Sequence, residues 1–362
     1  MNRKPRLLFI TRRYPPSIGG IETHCYQLNK NLAKLCSVRL IALSKKSKIH
    51  LLWFLPQSFL YAFEGILFKR YDTIYFADGV VGFYAPFLRF FTQMRFCTTI
   101  YGLEMAVKNP VTRWLMSRGA NASDEVIVIS KKTKEITERT GIPSNKIKII
   151  YVGIHPPEIT DQRCQKLKNA FEREHNISFH KDKIILNFGR MVPRKGVVEF
   201  LKKGMPLLDK DIKLIIGGNG PDFNNILTIC KEYNYENRVI LLQRPSDEII
   251  AMLRKNTDLF ILPNVSTRGD VEGYGMTQLE SMYTGTPVVA FAVDALVESV
   301  REGGYLIDPN DYISFINAIH AYFKLSDKKR DEKRKEAMNY VRREYSWEKT
   351  AQQYYNVFFS SG

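Results

Sequence analysis

The chain has 362 residues, of which 44% are hydrophobic and 25% are charged. This composition is typical of a soluble globular protein and does not favour a disordered chain, and the length suits two domains. Five cysteines are scattered along the chain and odd in number, which argues against a disulfide framework and for a reducing compartment. The net charge of +17 is uneven, because residues 1–158 contain 24 lysines and arginines but only 10 acidic residues. The basic part favours an anionic partner: nucleic acid, an acidic membrane surface or a phosphorylated substrate.

The first half of the chain alternates short β-rich runs with helical patterns. The apolar run near the N-terminus, Leu7–Ile10, is too short for a signal peptide and predicts a first strand. Further strands are predicted at 38–43, 73–77, 96–102, 125–130 and 146–153, and helices at 21–35, 113–120 and 131–141. Alternation with continuously apolar strands is typical of a parallel sheet that is covered on both faces.

Two strongly hydrophobic segments, 49–68 and 82–91, interrupt this pattern. They are compatible with core helices of an α/β domain. They are also compatible with an interfacial surface that touches a membrane, since basic residues lie nearby: Lys69, Arg70, Arg89 and Arg95. A membrane span is disfavoured by Pro56 and Glu64.

A linker is predicted near residues 153–165, where two prolines and a polar run occur. Alternation then resumes, with strands at 183–190, 212–218, 239–243, 259–263, 287–292 and 304–308. The predicted fold is therefore α/β, with two doubly wound Rossmann-like domains facing a cleft. The domains span residues 1–158 and 159–340, and a last amphipathic helix lies within 341–362. Ligands bind such sheets beyond the carboxyl ends of the strands, so the loops there are expected to carry the function.

Two of these loops combine glycine with helix starts or basic side chains. Gly19 and Gly20 follow the first strand and open a helix, where backbone amides can meet a phosphate. The pattern is not the GxGxxG fingerprint, so NAD is not indicated. Arg190 and Lys195 follow the strand at 183–190, and a guanidinium fork with an ammonium group suits a diphosphate. Each loop is also compatible with an ordinary strand-to-helix turn.

The segment 268–291 contains two glutamates with seven residues between them. Glu272 lies among glycines, and Glu280 lies on a predicted helix about two turns on, roughly 9–12 Å away at 1.5 Å per residue. Each carboxylate can accept hydrogen bonds from hydroxyl groups. The amides of three residues at the start of this helix lie between them, where a pyrophosphate fits: Gly275, Met276 and Thr277. The order of hydroxyls, phosphates and hydroxyls matches a nucleotide-diphosphate sugar.

On these motifs the chain resembles the retaining glycosyltransferases of family 4, which have the GT-B fold. The resemblance covers nearly the full length and rests on YPPSIGGIE, FGRMVPRKG, GGNGP and the E-x7-E segment. The motifs VPRKG and RGDVEGYG are most similar to those of GDP-mannose-dependent mannosyltransferases that act on glycolipids. The resemblance implies that the N-terminal half takes the acceptor and that the final helix crosses back onto it.

The resemblance also implies roles for individual residues. Arg190 and Lys195 would hold the donor pyrophosphate, Glu272 the donor sugar and Glu280 the ribose. Gly19 and Gly20 would lie against the phosphates, and Gln243 and Arg244 would begin the base pocket. The chain departs from the family at Tyr101-Gly102, where His-Gly is usual, with Glu104 close behind. In the family, the histidine contacts the donor near the reacting carbon. With Tyr101 in its place, that contact is in doubt.

The interpretation is therefore transfer of a hexose, with retention, from a GDP- or UDP-sugar to a glycolipid, lipid-linked oligosaccharide or surface polysaccharide. No cofactor or metal is expected, because two basic side chains supply the positive charge. A cytoplasmic location is expected, with attachment to the inner face of the plasma membrane through the basic domain. The alternatives are a nucleotide-sugar epimerase, a degenerate non-catalytic GT-B protein that binds an anionic membrane or polymer, and a nucleic-acid binder. The last rests on charge alone, since no nucleic-acid motif is present.

Overall fold

The structure is a computed structural model that describes residues 3–17, 19–43, 48–102, 109–267 and 275–359. The chain divides into two compact units, one formed by residues 1–153 and 345–362 and the other by residues 154–344. Two predicted site residues, Glu104 and Glu272, lie outside the described residues. Across the described ranges, none of the helices is both long and apolar enough to span a bilayer.

The first unit is built on a six-stranded parallel sheet with the order β2-β1-β3-β4-β5-β6. Its elements, in chain order, are β1 (Arg6–Thr11), α1 (Gly20–Leu35), β2 (Ser37–Ala42), α2 (Lys48–Leu67), β3 (Thr73–Phe76), α3 (Ala85–Arg89), β4 (Arg95–Ile100), α4 (Pro110–Asn121), β5 (Glu125–Val128), α5 (Lys131–Glu138) and β6 (Ile147–Ile149). Strand β1, which pairs with β2 and β3, is fully buried from Leu7 to Ile10. Alternate side chains of this sheet face two separate helix layers, as expected for strands that are apolar throughout.

The second unit is built on another six-stranded parallel sheet, with the order β12-β11-β10-β7-β8-β9. Its elements are α6 (Asp161–His175), β7 (Lys183–Arg190), α7 (Val197–Lys203), β8 (Ile212–Asn219), α8 (Phe223–Glu232), β9 (Val239–Gln243), α9 (Asp247–Asn256), β10 (Leu259–Leu262), α10 (Met276–Tyr283), β11 (Val288–Phe291), α11 (Leu296–Ser299), β12 (Gly304–Ile307), α12 (Tyr312–Phe323) and α13 (Asp327–Glu344). The α/β fold predicted from the strand–helix alternation is confirmed.

The irregular segment between the two sheets ends earlier than the sequence suggested. Helix α6 begins at Asp161, within the predicted linker, because the Thr160 side chain accepts a hydrogen bond from the Arg163 amide and caps the first turn. The helix ends at His175, and the capping residue Asn176 adopts the left-handed conformation that terminates helices.

The last helix, α14 (Trp347–Phe359), packs against the first sheet beside α1. The Thr73 hydroxyl donates to the Phe358 carbonyl at 2.7 Å, and Arg95 Nε donates to the Val357 carbonyl at 2.9 Å. These bonds satisfy carbonyls in the last turn, which have no partner within the helix. The opposite face of the same sheet is covered by α2, α3 and α4.

A buried histidine lies where α1 meets α14. The ring of His24 contacts three aromatic rings, those of Tyr101, Trp347 and Tyr354, at centroid distances of 5.5, 5.5 and 5.9 Å. Its Nδ1 atom is buried and has no hydrogen-bond partner among the described residues. Burial lowers the pKa of His24 from 6.5 to about 3, because the apolar surroundings disfavour the charged imidazolium.

This lowered pKa predicts an acid-sensitive stability. Between pH 6.5 and about 3 the unfolded chain binds a proton at His24 and the folded chain does not. The free energy of unfolding must therefore fall with falling pH, by up to about 1.4 kcal/mol per pH unit from this residue. In urea denaturation across this pH range, the free energy of unfolding of His24→Phe should depend less steeply on pH than that of the wild type. The variant should therefore become more stable relative to the wild type as the pH is lowered. Parallel stability curves for the two proteins would contradict the assignment.

Candidate active site

The candidate site of the second unit lies where the strand order reverses. Strands β8 and β9 extend the sheet to one side of β7, whereas β10, β11 and β12 extend it to the other. The loops that follow β7 and β10 therefore leave the carboxyl edge side by side, which is the usual ligand position in doubly wound sheets. Arg190 is the last residue of β7 and is exposed.

Lys195 is held over the end of β7 by a tight turn. Residues Pro193–Lys195 form a single 3-10 turn, in which the Lys195 amide donates to the Val192 carbonyl at 2.9 Å. The lysine side chain is buried, and its Cε lies 3.8 Å from the point where a β-carbon on Gly189 would stand. The turn thus aims a cationic side chain across the strand end that carries Arg190.

Gly196 fixes this turn against the neighbouring loop. Its φ of +65° is in the left-handed region, and a β-carbon there would overlap the Pro263 carbonyl oxygen just beyond β10. The Val265 amide also donates to the Arg194 carbonyl at 2.9 Å. The two loops at the reversal point are therefore locked together through their backbones.

Helix α10 presents an uncapped N-terminus at the same edge of this sheet. Gly275 precedes its first turn with φ +70°, and within the described residues no side-chain cap is made at this position. The amides of Met276 and Thr277 are among those that lack partners within an α-helix, and the helix dipole adds partial positive charge there. The Thr277 Oγ1 atom is buried, also without a hydrogen-bond partner within the described ranges. These groups together suit a negatively charged ligand.

Glu280 lies one turn further along α10, paired with a buried arginine. Arg254, on α9, donates through Nη2 to Glu280 Oε2, and only 4% of the arginine side chain is exposed. Burial lowers the pKa of Arg254, and the Glu280 charge opposes that shift. The arginine also lies over the Phe188 ring at 5.5 Å. The Glu280 side chain is 22% exposed, and within the described residues its other oxygen, Oε1, makes no ion pair, so it can be offered to a ligand.

The remaining predicted donor contacts of this unit are exposed. Gln243 is the last residue of β9. Arg244 follows it with φ +51°, and its amide donates to the Gly218 carbonyl at 2.8 Å. Both therefore stand at the carboxyl edge. In the parts of the chain that the structure describes, no group of three or more His, Cys, Asp and Glu side chains is placed to hold a metal ion.

In the first unit, the predicted glycines open helix α1. The Gly19 carbonyl accepts the first helical hydrogen bond, from the Thr23 amide at 3.0 Å. Apart from the adjoining residues and the backbone of α1 itself, no described atom lies within 4 Å of the point where a β-carbon on Gly20 would stand, whereas one on Gly19 would overlap Glu22. Open space therefore faces Gly20, and Glu22 is held in place by Arg13 Nη1 at 3.2 Å.

Tyr101 is buried, unlike a loop residue that contacts a ligand. Its side chain is only 7% exposed, and its ring meets His24 edge-on at 5.5 Å. The Tyr101 hydroxyl lies 3.9 Å from Cys25 Sγ. Burial raises the pKa of Tyr101 above its usual range. The tyrosine is therefore part of the core between β4 and α1.

Sequence reasoning missed two buried charged groups beside these edges. Arg254, described above, is one. Asp78, just after β3, is the other: its Oδ1 accepts from Arg12 Nε at 3.1 Å and from the Val80 amide at 2.9 Å. Asp78 could have been identified from the sequence, because it is a charged residue directly after a predicted strand. Nothing near Arg254 in the sequence pointed to Glu280.

Two family models match this chain. The model described as Glycosyltransferase Family 4 matches residues 18–157, and the model described as Glycosyl transferases group 1 matches residues 168–343. The chain is a glycosyltransferase, with a family 4 domain followed by a group 1 domain. The predicted family is thus confirmed, and the two matched ranges together span most of both units of this transferase.

Individual proteins agree with this assignment. The transferase is 26% identical over 392 residues to an uncharacterized glycosyltransferase of Methanocaldococcus jannaschii, covering 98% of this chain and 97% of the relative. It is 26% identical over 259 residues to a GDP-mannose-dependent alpha-(1-6)-phosphatidylinositol monomannoside mannosyltransferase of Mycolicibacterium smegmatis, covering 68% and 66%. The crystal structure of Anabaena HepE in complex with UDP has a TM-score of 0.74 and 18% identity, covering 97% of this chain and 99% of HepE. This likeness confirms the predicted GT-B fold.

Proposed function

We propose that this transferase moves a hexose from a nucleotide-diphosphate sugar to a glycan or glycolipid acceptor, with retention of the anomeric configuration. One observation carries the proposal: Lys195 and Arg190 lie together at the point where the strand order reverses. The close contact between Gly196 and Pro263 fixes the loop there. This edge of the sheet therefore holds two positive charges on a rigid backbone. Such an arrangement stabilises a diphosphate, which gains negative charge as its bond to the sugar breaks.

GDP-mannose is the favoured donor. The support is the similarity to the Mycolicibacterium smegmatis enzyme, whose name states that it depends on GDP-mannose. A UDP-sugar is the alternative, since the HepE structure contains UDP. The acceptor class that we propose is a glycolipid, a lipid-linked oligosaccharide or a surface polysaccharide.

The reaction requires that the bond between the anomeric carbon and the diphosphate oxygen break while a bond to the acceptor oxygen forms on the same face. The acceptor proton passes to a phosphate oxygen of the donor. In this proposal Arg190, Lys195 and the first amides of α10 stabilise the leaving diphosphate. Glu272 holds the donor sugar, and the free oxygen of Glu280 accepts from the ribose. No metal is required in this scheme.

The experiment is a transfer assay with GDP-mannose and a panel of UDP-hexoses against lipid-linked and polysaccharide acceptors. We expect acceptor-dependent release of one nucleoside diphosphate, and a product whose anomeric configuration, read by NMR, equals that of the donor. An inverted product would refute retention. Epimerisation of the donor sugar without nucleoside diphosphate release would refute group transfer.

One observation favours a non-catalytic second candidate. Tyr101 stands where the family usually has a histidine, and its side chain is buried in the core of the first unit. A protein that binds the donor without turnover would fit a lost contact there. Donor binding without transfer to any acceptor, together with turnover gained by Tyr101→His, would establish this candidate.

A further inference from the structure

Exposed hydrophobic side chains are concentrated in one part of this protein. Among the described residues, nineteen large hydrophobic side chains are exposed, and thirteen of these lie between positions 49 and 115. We call them the α2–α4 surface: Ile49, Leu52, Trp53, Leu60, Tyr61, Leu67, Phe68, Phe87, Phe90, Phe91, Val111, Trp114 and Leu115. Single exposed hydrophobic residues are normal, but a concentration of this size marks a binding surface.

The three helices that carry this surface lie on one face of the first sheet. The inner sides of α2 and α3 join one core cluster, to which Phe54, Ile66 and Leu88 belong. Helix α4 contributes Met116 to the adjoining cluster. The outer sides of these helices therefore point away from the same face of the sheet.

Helix α2 is apolar on its outer side as well as on its inner side. Leu52, Trp53 and Leu60 are 71%, 77% and 63% exposed, although a solvent-facing helix side is normally polar. The end of α3 continues this pattern, because Phe90 is 84% exposed. An edge-on ring contact between Phe63 and Phe91, at 5.2 Å, joins α2 to the residues that follow α3.

Basic side chains lie directly beside the exposed aromatic rings. The Arg118 guanidinium is 5.0 Å from the Trp114 ring centre, and that of Arg70 is 5.2 Å from the Phe68 ring centre. A groove between α4 and α5 also brings Arg113 and Arg139 beside Trp114. Aromatic rings flanked by arginine match the boundary of a bilayer, where rings sit at headgroup level and cations meet phosphate.

From these observations we infer that the α2–α4 surface docks on an anionic phospholipid bilayer. The rings and leucines enter the boundary between headgroups and acyl chains, and the arginines contact lipid phosphates. The excess of 24 basic over 10 acidic residues in positions 1–158 supplies the long-range attraction. The surface is apolar as well as basic, so charge alone does not describe it. This inference does not rest on the transfer reaction.

The three tryptophans of the chain provide a direct probe. Trp53 and Trp114 are on the α2–α4 surface, whereas Trp347 is buried. With phosphatidylcholine vesicles that contain phosphatidylglycerol and brominated acyl chains, we expect quenching of tryptophan emission. Most of the quenching should disappear in Trp53→Phe/Trp114→Phe. Equal quenching in that variant would overturn the assignment of the surface.

Cosedimentation with the same vesicles separates the apolar and electrostatic parts. Trp53→Ala/Phe90→Ala should lower the partition coefficient at least about tenfold, since each ring contributes the burial of a large apolar side chain. The matched control Ile313→Ala, at a 67% exposed position of the second unit, should bind like the wild type. Arg113→Gln should weaken binding about fivefold on anionic vesicles and have no effect on neutral ones.

Two results would overturn the inference. The first is equal partition onto vesicles of phosphatidylcholine alone and onto anionic vesicles. The second is self-association instead of vesicle binding: a dimer in sedimentation velocity that Trp53→Ala/Phe90→Ala dissociates would assign the surface to a second copy of this chain. Circular dichroism of each variant establishes that the fold is intact.

Discussion

Replacement of Lys195 by alanine is expected to lower kcat by roughly 100- to 1,000-fold, the usual effect of removing one preorganised group that stabilises developing charge. The ammonium group is the buried cation at the end of β7, held by the 193–195 turn and by Gly196. Initial rates with saturating donor and acceptor provide the measurement. Lys195→Met, which keeps the aliphatic stem above Gly189, should be as inactive as the alanine variant.

Lys202→Ala is the matched control for this prediction, because that lysine is exposed on the helix that directly follows the turn. It should keep wild-type kcat. Thermal unfolding must show that the two Lys195 variants are folded. If folded Lys195→Met transfers sugar at the wild-type rate, the lysine takes no part in the reaction. That result would also contradict the proposed diphosphate site at this edge of the sheet.

Glu280→Ala is expected to destabilise the fold as well as the donor complex. Removing this carboxylate leaves the buried Arg254 guanidinium without its counter-charge, which typically costs about 3–5 kcal/mol. Urea denaturation should show a loss of this order. Adding Arg254→Met should restore part of the loss, because the double variant no longer buries an unpaired charge.

An exposed ion pair is the control for this cycle. Lys333 and Glu336 lie 2.7 Å apart on α13, with about half of each side chain exposed, so Glu336→Ala should change stability by less than about 1 kcal/mol. Glu280→Gln keeps an acceptor oxygen and should raise the donor KM more than it lowers kcat. Full stability of Glu280→Ala would mean that the buried Arg254 guanidinium does not depend on Glu280 for its counter-charge.

The architecture was predictable because its signal is local. Strands such as β1, apolar from Leu7 to Ile10, are recognised from a few consecutive residues, and the alternation with helices then implies parallel sheets. Lys195 and Glu280 were identified in the same way, through glycines and helix starts that adjoin them in sequence. Their roles in transfer remain proposals.

Other features depend on contacts between distant residues. Arg254 lies in an ordinary amphipathic helix, and its meeting with Glu280, 26 residues later, exists only after α9 and α10 pack. The direction of the Tyr101 side chain is set by His24 and Cys25 of α1, about 76 residues earlier. Similarly, the sequence left open whether segment 49–68 forms core or surface. Helix α2 does both, since one side packs on the sheet and the other is exposed.

We propose that a nucleotide-sugar site lies at the carboxyl edge of the second sheet. The measurement to make is thermal unfolding of the wild type and of Lys195→Met, each with GDP, UDP and their hexose conjugates, because a ligand that binds the native state raises the melting temperature. We predict that one nucleotide family raises the melting temperature of the wild type and that the shift is reduced in Lys195→Met. The absence of any shift with all of these ligands, or equal shifts in both proteins, would contradict the claim.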